Sequence, residues 1–268
     1  MFDPIILRAI LGVLFTSLSM PILVIMLLRG SLYITPEISH AALGGAALGA
    51  LIQTFLPILP DPFPIVVLFC VATAVLISYA GRGGQRSLGT MLSVALAISV
   101  ALYAVIRSYL PLEKRVFVDS YLISDLLLLS NVDLLNLSIA STAATIITLV
   151  FHREFIYICF DIDTTETLGL RVRLYDSLLF ITSAVVAAVI VRAVGALLSV
   201  TLLILPAASS SIITKDLGKM MLTSIIMATF SGVAGIAISL QLNIPTSGAI
   251  AITSTAIFSL TYLTKIKR

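Results

Sequence analysis

Charged residues are scarce in this sequence, and their scarcity excludes an ordinary soluble fold. Of the 268 residues, 11% are charged and 59% are hydrophobic, whereas soluble domains carry about 25% charged residues. The stretches 38–60 and 220–264 contain no Asp, Glu, Lys or Arg. A helix that crosses a bilayer needs about 20 consecutive apolar residues. The sequence therefore predicts an all-α fold, a polytopic integral membrane helical bundle.

Cysteines and catalytic motifs are also few. Cys70 and Cys159 are the two cysteines, far apart in the sequence, and they indicate neither a disulfide framework nor a thiolate metal site. No G-x-x-x-x-G-K-[ST] phosphate loop occurs, so the chain does not bind ATP in that manner. No H-E-x-x-H or G-x-S-x-G occurs either, although these are common hydrolase motifs. We predict no catalytic residue, and we expect any energy source to lie in another chain.

About eight or nine transmembrane helices are predicted within a single domain, residues 1–268. The apolar segments are 5–28, 35–56, 62–80, 88–110, 133–151, 176–192, 194–213, 219–241 and 246–264. The segments 176–192 and 194–213 adjoin at Gly195, so they form either a tight hairpin or one broken helix. The apolar segment 116–130 is interrupted by Asp119 and Asp125. It is more typical of a re-entrant or surface helix.

The basic residues predict the orientation of the chain. If alternate loops face the cytosol, beginning with the Arg29 loop, 11 of the 16 Lys and Arg residues lie on the cytosolic side. Cytosolic loops of membrane proteins carry an excess of these residues. We therefore expect a cytosolic C-terminus and an extracytoplasmic N-terminus. The basic residues left outside are Arg8, Arg107, Lys114, Arg115 and Arg192.

The stretch TPEISH places an acid and a histidine at the start of the second span. Thr35 is a suitable N-cap and Pro36 a suitable first helical residue, which puts Glu37 in the first turn and His40 one turn later on the same face. A Glu-x-x-His pair can ligate a divalent cation, and ionisable groups within a membrane usually line a pathway. An alternative stays open, because acids are common in first helical turns and one backbone carbonyl can satisfy a buried histidine.

Small residues mark two of the spans. Gly45 and Gly49 are four residues apart among alanines, a spacing that lets helix backbones approach closely in lipid. Pro206 lies inside an apolar span and is followed by Ala207 and Ala208. A proline there removes a backbone hydrogen bond and can kink the helix. This segment suits the lining of a pathway, and simple helix packing is an equal explanation.

The polar segment 152–176 predicts one short helix between two spans. Asp163 can cap a helix at 164–168, Glu166 follows three residues later as in a capping box, and Gly169 is placed to end the helix. A capped helix is more than a connection between spans needs. We expect it to be a docking element.

Several motifs occur together in one order along the chain. They are Arg29-Gly30, Ser39-His40-Ala41 with Gly44 and Gly45, Phe160-Asp161 with Leu168-Gly169, Ala193-Val194-Gly195 with Leu197-Leu198, and Leu205-Pro206-Ala207-Ala208. In these motifs and in its length the chain resembles the membrane-spanning permeases of metal-type ABC importers. That family moves zinc, manganese or iron(II).

The resemblance implies the partners and the site. It implies a homodimer in the plasma membrane of a prokaryote, with a central path, a cytosolic ATPase subunit and an extracytoplasmic metal-binding protein. It implies no cofactor bound by this chain, no nucleic acid, and a transported ion that meets Glu37 and His40 transiently. In the family an aspartate commonly stands four residues before the histidine, where this chain has Pro36. Arg192 stands where the family usually has an uncharged polar residue. The implied coupling residues are Asp161, Asp163, Glu166, Leu168 and Gly169.

Two alternatives remain at this point. One is a permease for vitamin B12 or siderophore chelates, a group that usually has about ten spans and needs no metal-ligating histidine. The other is an intramembrane enzyme or a passive channel without an ATPase, in which the short helix would have no partner.

Overall fold

The protein is a bundle of α-helices. The computed structural model describes residues 4–56, 61–81, 85–160, 165, 167 and 169–266. Within these residues there are twelve α-helices, one 3-10 helix and no strand. The helices are α1 (Pro4–Leu18), α2 (Met20–Leu28), α3 (Ile34–Phe55), α4 (Phe63–Gly81), α5 (Gln85–Tyr109), α6 (Leu112–Ser120), α7 (Asn131–Val150), α8 (His152–Phe160), α9 (Val172–Val194), α10 (Ala196–Ile213), α11 (Leu217–Leu242) and α12 (Thr246–Ile266).

Nine helical segments of the described chain are long and apolar enough to cross a membrane, counting α1 and α2 together as the first. The all-α membrane fold is therefore confirmed. The predicted segments 176–192 and 194–213 correspond to two separate helices, α9 and α10, that are each of this kind. Gly195 separates them with a φ of +83°, a left-handed conformation that glycine adopts without steric cost. The segments are thus two helices, each long and apolar enough to cross a membrane alone, which argues against a single broken span.

The segment between α5 and α7 enters the bundle without crossing it. It contains the surface helix α6 and the 3-10 helix Leu126–Leu128, whose first turn is capped by the Asp125 carboxylate. Leu126 and Leu129 are buried, and Leu129 packs beside Gly12 of α1. The backbone oxygen of Tyr121 accepts a hydrogen bond of 2.7 Å from the N–H of Ala196. This segment thus covers the first turn of α10, in agreement with the prediction that it is not a span.

Helix α3 packs closely between α4 and α5, with short distances between the helix backbones. A Cβ atom added at Gly49 would lie 2.9 Å from Cβ of Pro62, and one at Gly45 would lie 3.1 Å from Cα of Val66. On the other side, a Cβ at Gly44 would lie 3.0 Å from the backbone oxygen of Ser99. The predicted close approach of backbones along this helix is confirmed.

The spans alternate in direction and give the bundle two ends. The Arg29 end holds the connections α2–α3, α4–α5, α8–α9 and α10–α11, and we predict that it is cytosolic. The Arg192 end holds the connections α3–α4, α5–α7, α9–α10 and α11–α12. Salt bridges agree with this assignment, because Arg29 contacts Asp176 in the second turn of α9, and Arg192 contacts Asp61 just before α4.

Candidate functional site

The candidate site begins at the turn between α2 and α3. Gly30 has a φ of +71°, and its N–H donates to the Leu27 oxygen at 3.0 Å. The N–H of Ser31 donates to the Met26 oxygen at 2.9 Å. This pair of bonds is the Schellman arrangement that ends many helices with a glycine. The turn therefore has a defined backbone geometry.

Helix α3 begins two residues before the predicted first helical residue, Pro36, and Thr35 is not its N-cap. The helix starts at Ile34, and the residue before it makes no side-chain cap. The N–H groups of Ile34 and Thr35 instead donate to the backbone oxygens of Ser31 and Leu32, both at 3.1 Å. Because the preceding turn already supplies acceptors for the amides that a helix start leaves open, no side-chain cap is needed. Glu37 nevertheless lies in the first turn of α3, as predicted.

Glu37 and His40 lie half-buried on one face of this helix. Nδ1 of His40 is 2.7 Å from the backbone oxygen of Pro36. A carbonyl oxygen has no proton to give, so Nδ1 must donate, and Nε2 of the neutral ring keeps its lone pair. Oε2 of Glu37 is buried and has no hydrogen-bond partner within the described part of the chain. A buried acceptor without a partner is costly, and a bound cation would satisfy it.

The residues between Glu37 and His40 contact α4 and α10. The thiol of Cys70, seven residues after the start of α4 (Phe63–Gly81), donates to the backbone oxygen of Ile38 at 3.7 Å. Ser199 of α10 donates to the hydroxyl of Ser39 at 3.0 Å, and both residues are fully buried. These contacts hold the first two turns of α3 against two neighbouring spans.

This chain by itself provides few ligands. Among the residues that the structure describes, no group of three or more His, Cys, Asp or Glu side chains is placed to hold a metal ion. Glu37 and His40 therefore offer two ligands, whereas a closed zinc site usually has four. An open pair can release what it binds.

The predicted path residues on α10 differ in exposure. The helix continues through Pro206, which lies in its interior. Pro206 and Ala207 are buried within the chain, and Ala208 is half-buried. The hydrogen bond of Ser199 to α3 lies about two turns before Pro206. Of the three residues, Ala208 is the one with surface left to face a path.

The predicted coupling residues lie mostly outside the described residues. Asp161, Asp163, Glu166 and Leu168 belong to that group. Gly169 is described, with a φ of +81°, and the N–H of Leu170 donates to the Thr165 oxygen at 3.3 Å. This is the six-residue bond of a Schellman helix end. The predicted stop at Gly169 is therefore confirmed.

Arg192 has a role that the sequence analysis missed. Its Nε donates to Asp133 at 2.6 Å and its Nη1 to Asp61 at 2.8 Å. Its guanidinium lies 4.5 Å from the ring centroid of Phe63. It thereby joins the end of α9 to the starts of α4 and α7. One rule could have found this role: ionisable side chains in membrane segments usually pair with one another. Both aspartates lie at the start of a span, so they were candidate partners for an arginine at the end of another span.

The counterpart at the Arg29 end is a carboxylate shared by two donors. Asp176 lies inside α9 and not at its edge, because α9 starts at Val172, four residues before the predicted boundary. Its Oδ1 accepts from Nε of Arg29 at 3.2 Å, and its Oδ2 accepts from the hydroxyl of Ser78 at 3.0 Å. Three spans meet at this buried carboxylate.

A family model and two curated relatives match this chain over most of its length. The model of the ABC 3 transport family matches residues 2–265. The manganese import system permease protein ScaB of Streptococcus parasanguinis is 27% identical over 241 residues, covering 88% of this chain and 81% of the relative. The high-affinity zinc uptake system membrane protein ZnuB of Haemophilus influenzae is 25% identical over 260 residues, covering 97% of each chain.

Solved structures share the fold. A chain of PsaBC from Streptococcus pneumoniae in complex with Fab matches with a TM-score of 0.79 and 22% identity, over 97% of this chain and 91% of that chain. An inward-facing metal-chelate type ABC transporter matches with a TM-score of 0.72 and 17% identity, over 96% of this chain and 85% of that chain.

Proposed function

The chain belongs to the ABC 3 transport family, and from that membership we propose that it is the permease subunit of an ATP-driven importer of divalent transition metal ions. The observation that carries this proposal is the family match over residues 2–265. The names of the relatives, which are a manganese import permease and a zinc uptake membrane protein, support the class of cargo.

Glu37 and His40 are the proposed transient ligands of the ion. The partnerless oxygen of Glu37 and the free Nε2 of His40 are chemically suited to a divalent cation. A second copy of the chain would bring another such pair to a shared path, with Ala208 along it and the buried Pro206 and Ala207 behind it in the same helix. Two ligands from each copy bind an ion less firmly than a closed site does, which permits release. Carboxylate and imidazole accept zinc, manganese and iron(II) alike.

Other chains would supply energy and cargo. A cytosolic ATPase would dock at the segment 161–171, through Asp161, Asp163, Glu166, Leu168 and Gly169. The described part of this region supports docking, because Arg171 and Arg173 are exposed and residues 169–174 line a surface groove. A metal-binding protein would deliver the ion at the Arg192 end. The assembly would lie in the plasma membrane of a prokaryote.

The alternatives from the sequence fare less well. Membership of a transport family argues against an intramembrane enzyme. The manganese and zinc relatives favour a free ion over a chelate as the cargo. Chelate uptake would also leave Glu37 and His40 without a role.

The test is metal uptake by cells that depend on this permease. Replacing a direct ligand should reduce uptake at least about tenfold, so we expect this loss for His40→Ala and for Glu37→Gln at unchanged protein level. His152→Ala is the matched control, because His152 is the other histidine of the sequence and lies on a different helix, α8. Normal uptake by His40→Ala would remove the metal assignment of this residue.

A further inference from the structure

The last turn of α2 is tied to both flanks of the segment 161–171. Before that segment, the thiol of Cys159 in α8 donates to the backbone oxygen of Ile25 at 3.6 Å. After it, Asp176 of α9 accepts from Arg29, the residue that caps α2, at 3.2 Å. A displacement of the segment at either flank therefore acts on the same helical turn.

That turn is in direct backbone contact with the start of α3. The bonds of Gly30 and Ser31 to α2 fix the chain on one side. On the other side, Ile34 donates to Ser31, so one residue bonds both helices. Seven residues lie between Arg29 and Glu37, and the N–H groups of four of them, 30, 31, 34 and 35, donate backbone hydrogen bonds within this turn. The backbone between the salt bridge and Glu37 therefore allows little relative movement of the two.

The salt bridge resists separation because it is buried. The Asp176 side chain is 6% exposed and that of Arg29 is 25% exposed. Separating them would leave a carboxylate in the bundle with the Ser78 hydroxyl as its remaining partner, and an unpaired buried charge is strongly unfavourable. The two residues are thus expected to move as a unit.

From these contacts we propose that Arg29 and Asp176 are positioning residues for transport, which transmit movement of the segment 161–171 to the helix that carries Glu37 and His40. The proposal rests on the proposed function for its cargo. Neither residue touches the ion. Their task is to set the position of the first turn of α3 when the ATPase moves the segment.

The first experiment measures metal transported per ATP hydrolysed. The permease is reconstituted in proteoliposomes with its ATPase and metal-binding protein, and Arg29→Gln, Asp176→Asn and the double variant are compared. We expect each single variant to lower the ratio at least about fivefold, the lower range of coupling between sites, while ATP hydrolysis continues. The double variant should be no worse than either single one, because both remove the same link.

The matched control is the salt bridge at the other end of the bundle. Arg107→Gln removes a pair of equal charge between Arg107 and Asp119, which lies far from the segment. Its ratio should equal that of the wild type. An unchanged ratio in Arg29→Gln, or transport and hydrolysis that fall together by one factor, would overturn the proposal, since the second result indicates a role in folding or assembly.

A second experiment is independent of the cargo. Tyr33, just before α3, is 45% exposed, so Tyr33→Cys accepts an environment-sensitive fluorophore. Cys70 is fully buried, and burial raises the pKa of Cys159 to about 12, so neither native thiol competes well for the label. ATP binding by the partner ATPase should change the emission in the wild-type background and not with Arg29→Gln. An equal change in both backgrounds would overturn the link even if the cargo is not a metal.

Discussion

Two arginines at the same end of the bundle make the same kind of bonds in different surroundings. Arg192 binds Asp133 and Asp61 at 2.6 and 2.8 Å, and Arg107 binds both oxygens of Asp119 at 2.5 and 2.6 Å. The side chain of Arg192 is 16% exposed and that of Arg107 is 41% exposed. Arg192 connects three spans that are remote in sequence. Arg107 connects residues only 12 positions apart.

The bond lengths at the two sites are alike, so they do not distinguish the two ion pairs. The pairs differ in exposure to water and in the sequence distance between the partners, and we expect these two properties to set the contribution of each pair to stability. An exposed pair gains little because water competes for both charges, whereas a buried charge that loses its partner is strongly destabilising. Four of the five basic residues predicted to be extracytoplasmic have hydrogen-bond partners at this end. Besides these two arginines, Lys114 donates to Thr54 and Arg115 to the backbone oxygens of Leu110 and Ser108.

Removal of the buried arginine should have the largest effect. Arg192→Met keeps much of the side-chain volume but leaves Asp133 and Asp61 facing each other without a cation. We expect a loss of about 3 kcal/mol in the free energy of unfolding, the lower end for a broken buried pair, because Asp61 is partly solvated. Thermal unfolding of the purified protein in detergent measures it. A melting temperature like that of the wild type would mean that Arg192 does not hold the three spans together.

Two glycine substitutions, one just after the helix of Arg192 and one on the helix of Arg107, should give a smaller effect and sharpen the comparison. Gly195 lies just after the buried cluster, and Gly89 lies on α5, the helix of Arg107. A Cβ at Gly195 would be 2.8 Å from the backbone nitrogen of Ser124, whereas one at Gly89 would have no atom within 4 Å. Gly195→Ala should cost about 1–3 kcal/mol of backbone strain, and Gly89→Ala should stabilise α5 slightly. Equal melting temperatures for the two variants would contradict this difference in packing.

Loss of the exposed pair should change stability much less. We expect Arg107→Met to melt close to the wild-type temperature, because water already solvates both partners. The same thermal unfolding assay decides the matter. A loss as large as that of Arg192→Met would show that burial is not what distinguishes the two sites.

The smallest effect should be a dependence on pH. The hydrogen bond from Arg107 holds the pKa of Asp119 below its ordinary value. A lowered folded-state pKa adds stability above the unfolded value, and this stability is lost as the pH falls below about 4. Unfolding measured between about pH 5 and 3 should therefore show a slightly weaker acid dependence in Arg107→Met than in the wild type. A stronger acid dependence of stability in Arg107→Met would contradict the stabilising effect of Arg107 on the ionised Asp119.

Features that depend on neighbouring residues could be predicted from the sequence. The long apolar segments predicted the spans, because a bilayer requires about 20 apolar residues whatever their neighbours are. Glu37 in a first turn and the helix end at Gly169 follow from residues within one or two turns of each other. The close approach at Gly45 and Gly49 follows from the lack of side chains on one face of α3.

Pairings between distant residues were decided by the tertiary structure alone. Arg192 and Asp61 are 131 positions apart, and Arg29 and Asp176 are 147 apart, so no local pattern marks them as partners. Thr35 failed as a cap for a local reason, since the backbone oxygens of Ser31 and Leu32 already accept from the first amides of α3. The sequence by itself determined which segments are helical and where chemistry is possible. Only the packing of the spans decided which charges neutralise each other, because that depends on which helix ends the bundle brings together.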